Sequence, residues 1–178
     1  PKEDQKIENE EWINVIKSQF VFDDSNQPGP FVVGYFDGKV KLYDSNCVEL
    51  YDKKLHEDTV NDIIFTCGAP NNYRLVTAGE DEEIGVHDLI FNEESGEIVD
   101  NRIANIQEQA NALSFCPTNQ DMITYAGNDT FLKIVDVSPE ILRRNRAPPA
   151  KKDAKTSVAF LQPVARIEGN KNPINCLK

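Results

Sequence analysis

The stretch RLVTAGEDEEIGVHDL, residues 74–89, decides the fold. Leu75-Val76-Thr77-Ala78 is a short apolar run with β-branched members, the composition of a strand. Gly79-Glu80-Asp81 reads as a turn. Ile84, Val86 and the His87-Asp88 pair make a second strand that closes at Asp88. The pattern occurs three times. Residues 33–44 (VGYFDGKVKLYD) and 125–136 (YAGNDTFLKIVD) keep the same order of apolar strand, acidic turn and strand ending in Asp. The turn aspartates are Asp37, Asp81 and Asp129, spaced 44 and 48 residues apart, and the closing aspartates Asp44, Asp88 and Asp136 repeat those separations. Three copies in register imply one supersecondary unit used repeatedly.

A strand, an acidic turn and a strand ending in aromatic-Asp at a period of ~40–45 residues resembles the WD40 repeat. The resemblance implies an all-β fold, a WD40 β-propeller. It also implies a role for Asp81: the turn aspartate of such a blade reaches a His on the preceding loop, here His56. Thr77 and the ring before the closing Asp, here His87, continue that hydrogen-bond network, with Asp37 and Asp129 in the matching turns. A buried polar network persists only when its members are paired. Ile106 stands where His56 stands in the second repeat, so the third blade lacks the His and is expected to be the least rigid.

The repeats divide the chain. Residues 1–11 are a polar, acidic tail or linker. Blade one covers 12–52, blade two 53–102, and blade three 103–168. Residues 169–178 begin a fourth, because 173–177 resembles the inner strands at 60–65 and 110–115. Propellers have typically ~4–8 blades, so about three blades and a strand are expected to be the first part of a longer protein. Trp12 opens the first inner strand, where core packing is its expected role. Residues 19–22 are expected to extend that strand or lead into a loop at 23–30. Residues 67–73 and 116–120 read as a loop and a turn. Residues 97–100, or a stretch slightly later, read as the outer strand of blade two, with 103–108 leading into blade three. Residues 138–163 interrupt the pattern. Arg143, Arg144, Arg146, Lys151, Lys152 and Lys155 face only Glu140 and Asp153, a net +4 in a chain of −11. Prolines and charge of this density read as an extended, mobile loop. Residues 158–161 are expected to pack back on the blade, and 163–167 to return as its outer strand.

The overall charge, 30 acidic against 19 basic residues, favours basic partners over bulk nucleic-acid binding. Four dispersed cysteines without a CxxC pair suit a reducing compartment. The absence of a signal peptide and of any apolar run of spanning length leads to the expectation of a soluble intracellular protein. Both histidines have structural roles in the repeat. No nucleophile elbow, phosphate-cradling glycine loop or metal-ligand cluster is present, so no enzyme, cofactor or metal is expected. Function is then expected at the surface. Phe36, Glu57, Asp58, Glu80 and Asn128 lie near the top rim. Phe36 is either an exposed anchor, as aromatics often are in hot spots, or a lid over its own blade. The six basic residues of the insertion contact RNA phosphates or an acidic partner, or only solubilise.

Within the WD40 proteins, three segments resemble the WD-repeat subunit of the PeBoW complex, which matures the large ribosomal subunit. They are Glu11-Trp12-Ile13-Asn14-Val15, the turn at residues 34–41, and a basic insertion after blade three, Arg143-Arg144-Asn145-Arg146-Ala147-Pro148, followed by residues 162–169 (QPVARIEG). The resemblance implies a seven-bladed propeller that binds a second propeller protein, with pescadillo as the third subunit. It implies a scaffold on pre-ribosomal particles during pre-rRNA processing in the nucleolus. The sequence departs from the pattern in its dipeptides, Tyr43-Asp44, His87-Asp88 and Val135-Asp136, and in its acidity. These departures leave open another intracellular WD40 complex in checkpoint, splicing or chromatin machinery.

Overall fold

The structure is a computed structural model, which describes residues 11–18, 29–69, 72–92, 94–116, 118–146, 158–168 and 177. The chain is built of three sheets laid side by side. Sheet I takes β1 (Ile13–Ser18), β2 (Phe31–Tyr35), β3 (Lys39–Tyr43) and β4 (Glu49–Lys54) in chain order. Sheet II takes β5 (Val60–Ala69), β6 (Asn72–Gly79), β7 (Ile84–Phe91) and β8 (Ile98–Ile106) in the same way. Sheet III follows with β9 (Ala112–Cys116), β10 (Asn119–Ala126) and β11 (Phe131–Asp136), then β13 (Ala165–Glu168). Consecutive strands pair antiparallel. Between β11 and β13 the chain forms helix α1 (Pro139–Asn145) and the short strand β12 (Ala159–Phe160).

Strand alternation explains the stacking, because neighbouring side chains point to opposite faces. Leu75 and Leu89 of sheet II pack against Val32, Val40 and Leu42 of sheet I. Val76, Ala78, Ile84 and Val86 point the other way, against Leu113, Ile123, Tyr125 and Val135 of sheet III. Sheet II is therefore apolar on both faces, which is why its sequence reads as a run rather than an alternation. Asp62, with its side chain 10% exposed, ties all three sheets together. One carboxylate oxygen accepts from the Leu113 amide at 2.8 Å, and the other lies 2.9 Å from Lys17 Nζ.

Several expectations are corrected. Trp12 is not in the core: it is 79% exposed, and its ring stands edge-on to Phe36 at 6.3 Å. The loop expected at 67–73 is largely strand, since β5 runs to Ala69 and β6 starts at Asn72. The outer strand of sheet II runs to Ile106 rather than 100, so much of the expected lead-in to the third blade belongs to β8. It does so because Ile103, Ala104 and Ile106 are buried core residues.

The insertion is not simply an extended loop. Pro139 and Glu140 open α1, where a first-position proline and an acidic first turn suit a helix start. Leu142 buries into the core between sheets II and III. Residues 158–161 do not return to their own sheet. Ala159 and Phe160 pair parallel with Ala104 and Asn105, giving sheet II a fifth strand. The Leu161 amide donates to the Asn105 carbonyl at 3.0 Å. The outer strand of sheet III is β13, close to its expected place. The expectations for 1–10, most of 19–30 and the start of a fourth blade lie outside the described residues, Leu177 excepted.

Candidate functional site: a polar network inside and an acidic rim outside

The turn of sheet II gathers His56, Thr77 and Asp81. His56 Nδ1 lies 2.9 Å from Asp81 Oδ1, and Nε2 lies 2.8 Å from Thr77 Oγ1. A carboxylate only accepts, so Nδ1 carries the proton and Thr77 donates its hydroxyl to Nε2. Asp81 also accepts from the Glu57 and Glu83 amides. Burial lowers the His56 pKa from its ordinary 6.5, against the pull of Asp81, which favours the charged ring. The network needs glycine around it. A Cβ on Gly79 would lie 2.4 Å from both His56 Nδ1 and Asp81 Oδ1, and one on Gly85 would lie 3.4 Å from Thr77 Oγ1 and 2.9 Å from His87 Nε2.

His87 does not extend this network: no hydrogen bond joins it to Thr77 among the described residues. Its Nδ1 donates instead to Asp100 at 2.7 Å. Asp100 in turn accepts from Tyr51 Oη at 3.0 Å and Lys53 Nζ at 2.6 Å, both on sheet I. Burial acts to raise the Asp100 carboxyl, but His87 and Lys53 outweigh it and hold it below the ordinary carboxylate range. The His before the closing Asp thus serves the joint between sheets I and II.

Asp37 and Asp129 occupy the matching turns with a different chemistry. Asp37 accepts from the Lys39 amide and pairs with its ammonium at 3.4 Å; Lys39 also pairs with Glu11. Asp129 pairs with Lys133 at 2.5 Å, and Lys133 also binds Glu108. The Lys133 side chain is only 8% exposed, and Nζ sits 5.7 Å from the centre of the Tyr125 ring. Burial alone lowers its pKa, but Asp129 and Glu108 outweigh that and raise it. Lys133 pairs across the ladder with Tyr125 as Gly85 does with Thr77. The sequence signal for it was a lysine four residues past the turn aspartate, present at Lys41 and Lys133 and replaced by Gly85.

The rim residues lie along one edge. Phe36 is 48% exposed, so it neither packs fully over its blade nor stands alone: Trp12 flanks it. Its carbonyl accepts from Thr59 Oγ1 at 3.3 Å, and the Glu80 amide donates to the Thr59 carbonyl. Glu80 accepts from Asn61 at 2.8 Å and from Gln109 at 3.0 Å. Gln109 accepts from Asn128 at 2.8 Å, and Asn111 donates to Asn128 at 2.9 Å. A polar ladder therefore runs from Phe36 to Asn128. Glu57 and Asp58 are exposed beside it, with Glu57 paired to Lys54 at 3.1 Å.

The basic residues sit at the other end of the strands. Arg144 pairs with Glu140 at 2.5 Å, while Arg143 and Arg146 are exposed without an ion-pair partner among the described residues. Lys151, Lys152 and Lys155 lie outside the described residues. Among the described residues no three His, Cys, Asp or Glu side chains gather as a metal site. No described helix is long and apolar enough to cross a membrane.

No family model matches the chain, and no curated protein matches it. Among solved structures it is similar to the computationally designed Ika8 protein, with TM-score 0.55, 18% identity, and cover of 93% of this chain and 39% of that one. It is similar also to a chain of the Mitotic Checkpoint Complex, with TM-score 0.61, 15% identity, and cover of 96% and 43%. At such identities the likeness concerns fold alone, and this chain spans about two-fifths of each. The class they and the geometry define is an all-β protein of repeated four- and five-stranded sheets in a propeller-like arrangement, with a surface capable of protein contacts.

Proposed function

We propose that the chain is part of a WD40 propeller acting as a non-catalytic scaffold in maturation of the large ribosomal subunit. The observation that carries the WD40 reading is the His56–Asp81–Thr77 triad. It stands at the loop, turn and strand positions that the repeat assigns. The rim supports the scaffold reading: an exposed aromatic pair next to Glu57, Asp58 and Glu80 suits a partner with a basic, apolar segment. The ribosomal reading rests on the segments at residues 11–15, 34–41, 143–148 and 162–169. In it the partners are a second propeller protein and a pescadillo-like subunit, on pre-ribosomal particles in the nucleolus.

Affinity purification of the tagged protein from its own cells, followed by mass spectrometry, tests this. The expected recovery is a pescadillo-like subunit, a second propeller protein and large-subunit precursors. Recovery of an unrelated assembly retains the scaffold and discards the ribosomal role. Absence of the protein from both pre-ribosomal fractions and the nucleolus discards it too.

A further inference from the structure

A cleft of about 310 Å³ opens beside α1, at the end of the sheets away from the rim. Ile103, Pro139 and Leu142 supply the apolar part of its lining, and Arg74, Asp88, Arg143 and Arg146 the polar part. Through Arg74 and Asp88 it adjoins a second cleft of about 180 Å³, which Asp121 also lines. The three arginines are not equivalent. Arg74 is already committed, with Nε donating to Asp88 at 3.1 Å and Nη1 to Asp121 at 3.0 Å. Arg143 and Arg146 carry no ion pair among the described residues.

The backbone that presents those two guanidiniums is fixed. Leu142 anchors α1 in the core, and its amide donates to the Ser138 carbonyl at 2.9 Å. Arg146 forms a β-bridge with Ala159, which is itself paired to Ala104 of sheet II. Two cations without an ion pair among the described residues, on a fixed backbone and beside three apolar side chains, form a site that costs little ordering to fill. We infer that this cleft binds a short acidic peptide, with an apolar side chain against Ile103, Pro139 and Leu142 and carboxylates on Arg143 and Arg146. A peptide fits better than RNA. No aromatic side chain lines either cleft to stack a base. The site is separate from the rim and independent of the assembly proposed above.

Fluorescence anisotropy of the full chain with a fluorescein-labelled peptide of alternating Glu and Leu tests the inference. Binding is expected, weakening as salt rises. The R143E/R146E double variant is expected to bind about tenfold more weakly or worse, equivalent to about 1.4 kcal/mol. R144E is the control, because that guanidinium is held by Glu140 and does not line the cleft; it is expected to bind as the parent does. A peptide with Ser in place of Leu is expected to lose affinity as well. Both variants alter exposed side chains, so an unchanged urea midpoint verifies folding. No binding by the Glu-Leu peptide overturns the inference, as does equal affinity for parent and R143E/R146E. An equal loss in R144E overturns it too, by reducing the effect to diffuse charge. Tighter binding of a labelled oligouridylate, lost in R143E/R146E, overturns it in favour of an RNA site.

Discussion

Sheets II and III place different chemistry at one register. In sheet II, Gly79 leaves room for His56 to bridge Thr77 and Asp81, and Gly85 stands opposite Thr77. Ahead of sheet III, Ile106 at the end of β8 stands in the place of the His and is fully buried, while in sheet III Lys133 holds the register position of Gly85. One network joins an imidazole, a hydroxyl and a single carboxylate; the other is a buried ammonium held by two carboxylates and a tyrosine face. The turn aspartate is common to both, but its partner differs, His56 in one and Lys133 in the other. Loss of the His therefore does not leave the third sheet without a polar network; it changes the kind.

The comparison breaks most sharply at Lys133. In Lys133→Ala, Asp129 loses its cation and Glu108 keeps only Arg166 at 3.2 Å. Breaking a buried pair from one side costs ~3–5 kcal/mol, and the 42% exposure of Asp129 argues for the low end, about 3 kcal/mol. Urea unfolding measures it. Adding Glu108→Gln to Lys133→Met is expected to recover part of the loss, since uncharged residues then replace two of the three charges. A cost under about 0.5 kcal/mol for Lys133→Ala would show that solvent already screens the trio.

Thr77→Val tests the sheet II side. It keeps shape and removes the donor to His56 Nε2, leaving a buried acceptor unpaired at a cost of about 1–2 kcal/mol. Thr77→Ser, which restores the hydroxyl, is expected to retain most of that. An equal loss in both variants would assign the effect to packing.

A pH series sharpens the contrast further. The folded state holds His56 below 6.5, so between 6.5 and the folded value the unfolded chain binds more protons. The stability that His56 contributes is whole above about pH 6.5 and falls as pH drops through it, until the folded ring also protonates. Urea midpoints at about pH 7.5 and about pH 5.5 are expected to differ more in the parent than in His56→Gln. Lys133 titrates far above this window, so Lys133→Ala is expected to leave the difference in place. A parent and His56→Gln with the same pH response would remove His56 as its source.

The repeat was legible because turn aspartates, closing aspartates and strand periods are local features of the chain. The His56–Asp81 contact was legible for the same reason, through its fixed offset from the inner strand. Asp62, Asp100 and the pairing of Lys133 with Glu108 were not, because those partners lie on other sheets or far along the chain, and only packing brings them together. Charge and proline mask helix α1 in the sequence. Leu142 and Ile141, four and three residues past Ser138, were the apolar signal within it. Trp12 differs from its expected core place because an isolated aromatic gives no hint of which face it occupies.

The smallest effect on stability is expected at the rim, where the partner readout is largest. Trp12 and Phe36 form an edge-on pair of the kind worth ~0.5–1.5 kcal/mol when buried, and their exposures of 79% and 48% reduce that. Trp12→Ala and Phe36→Ala are each expected to cost no more than about 0.5 kcal/mol. If the rim is the docking face, the double variant recovers far less partner protein from cells while its urea midpoint stays close to the parent's. Replacing Glu57 and Asp58 by Lys is expected to act in the same direction more weakly, because exposed rim charges mainly set the rate of encounter. Full partner recovery by the aromatic double variant would move docking off this edge, toward the opposite end of the sheets where α1 lies. Stability measurements alone do not distinguish these two faces, because neither carries much of the fold. The partner assay separates them, since Trp12 and Phe36 lie at one end of the strands and Arg143 and Arg146 at the other.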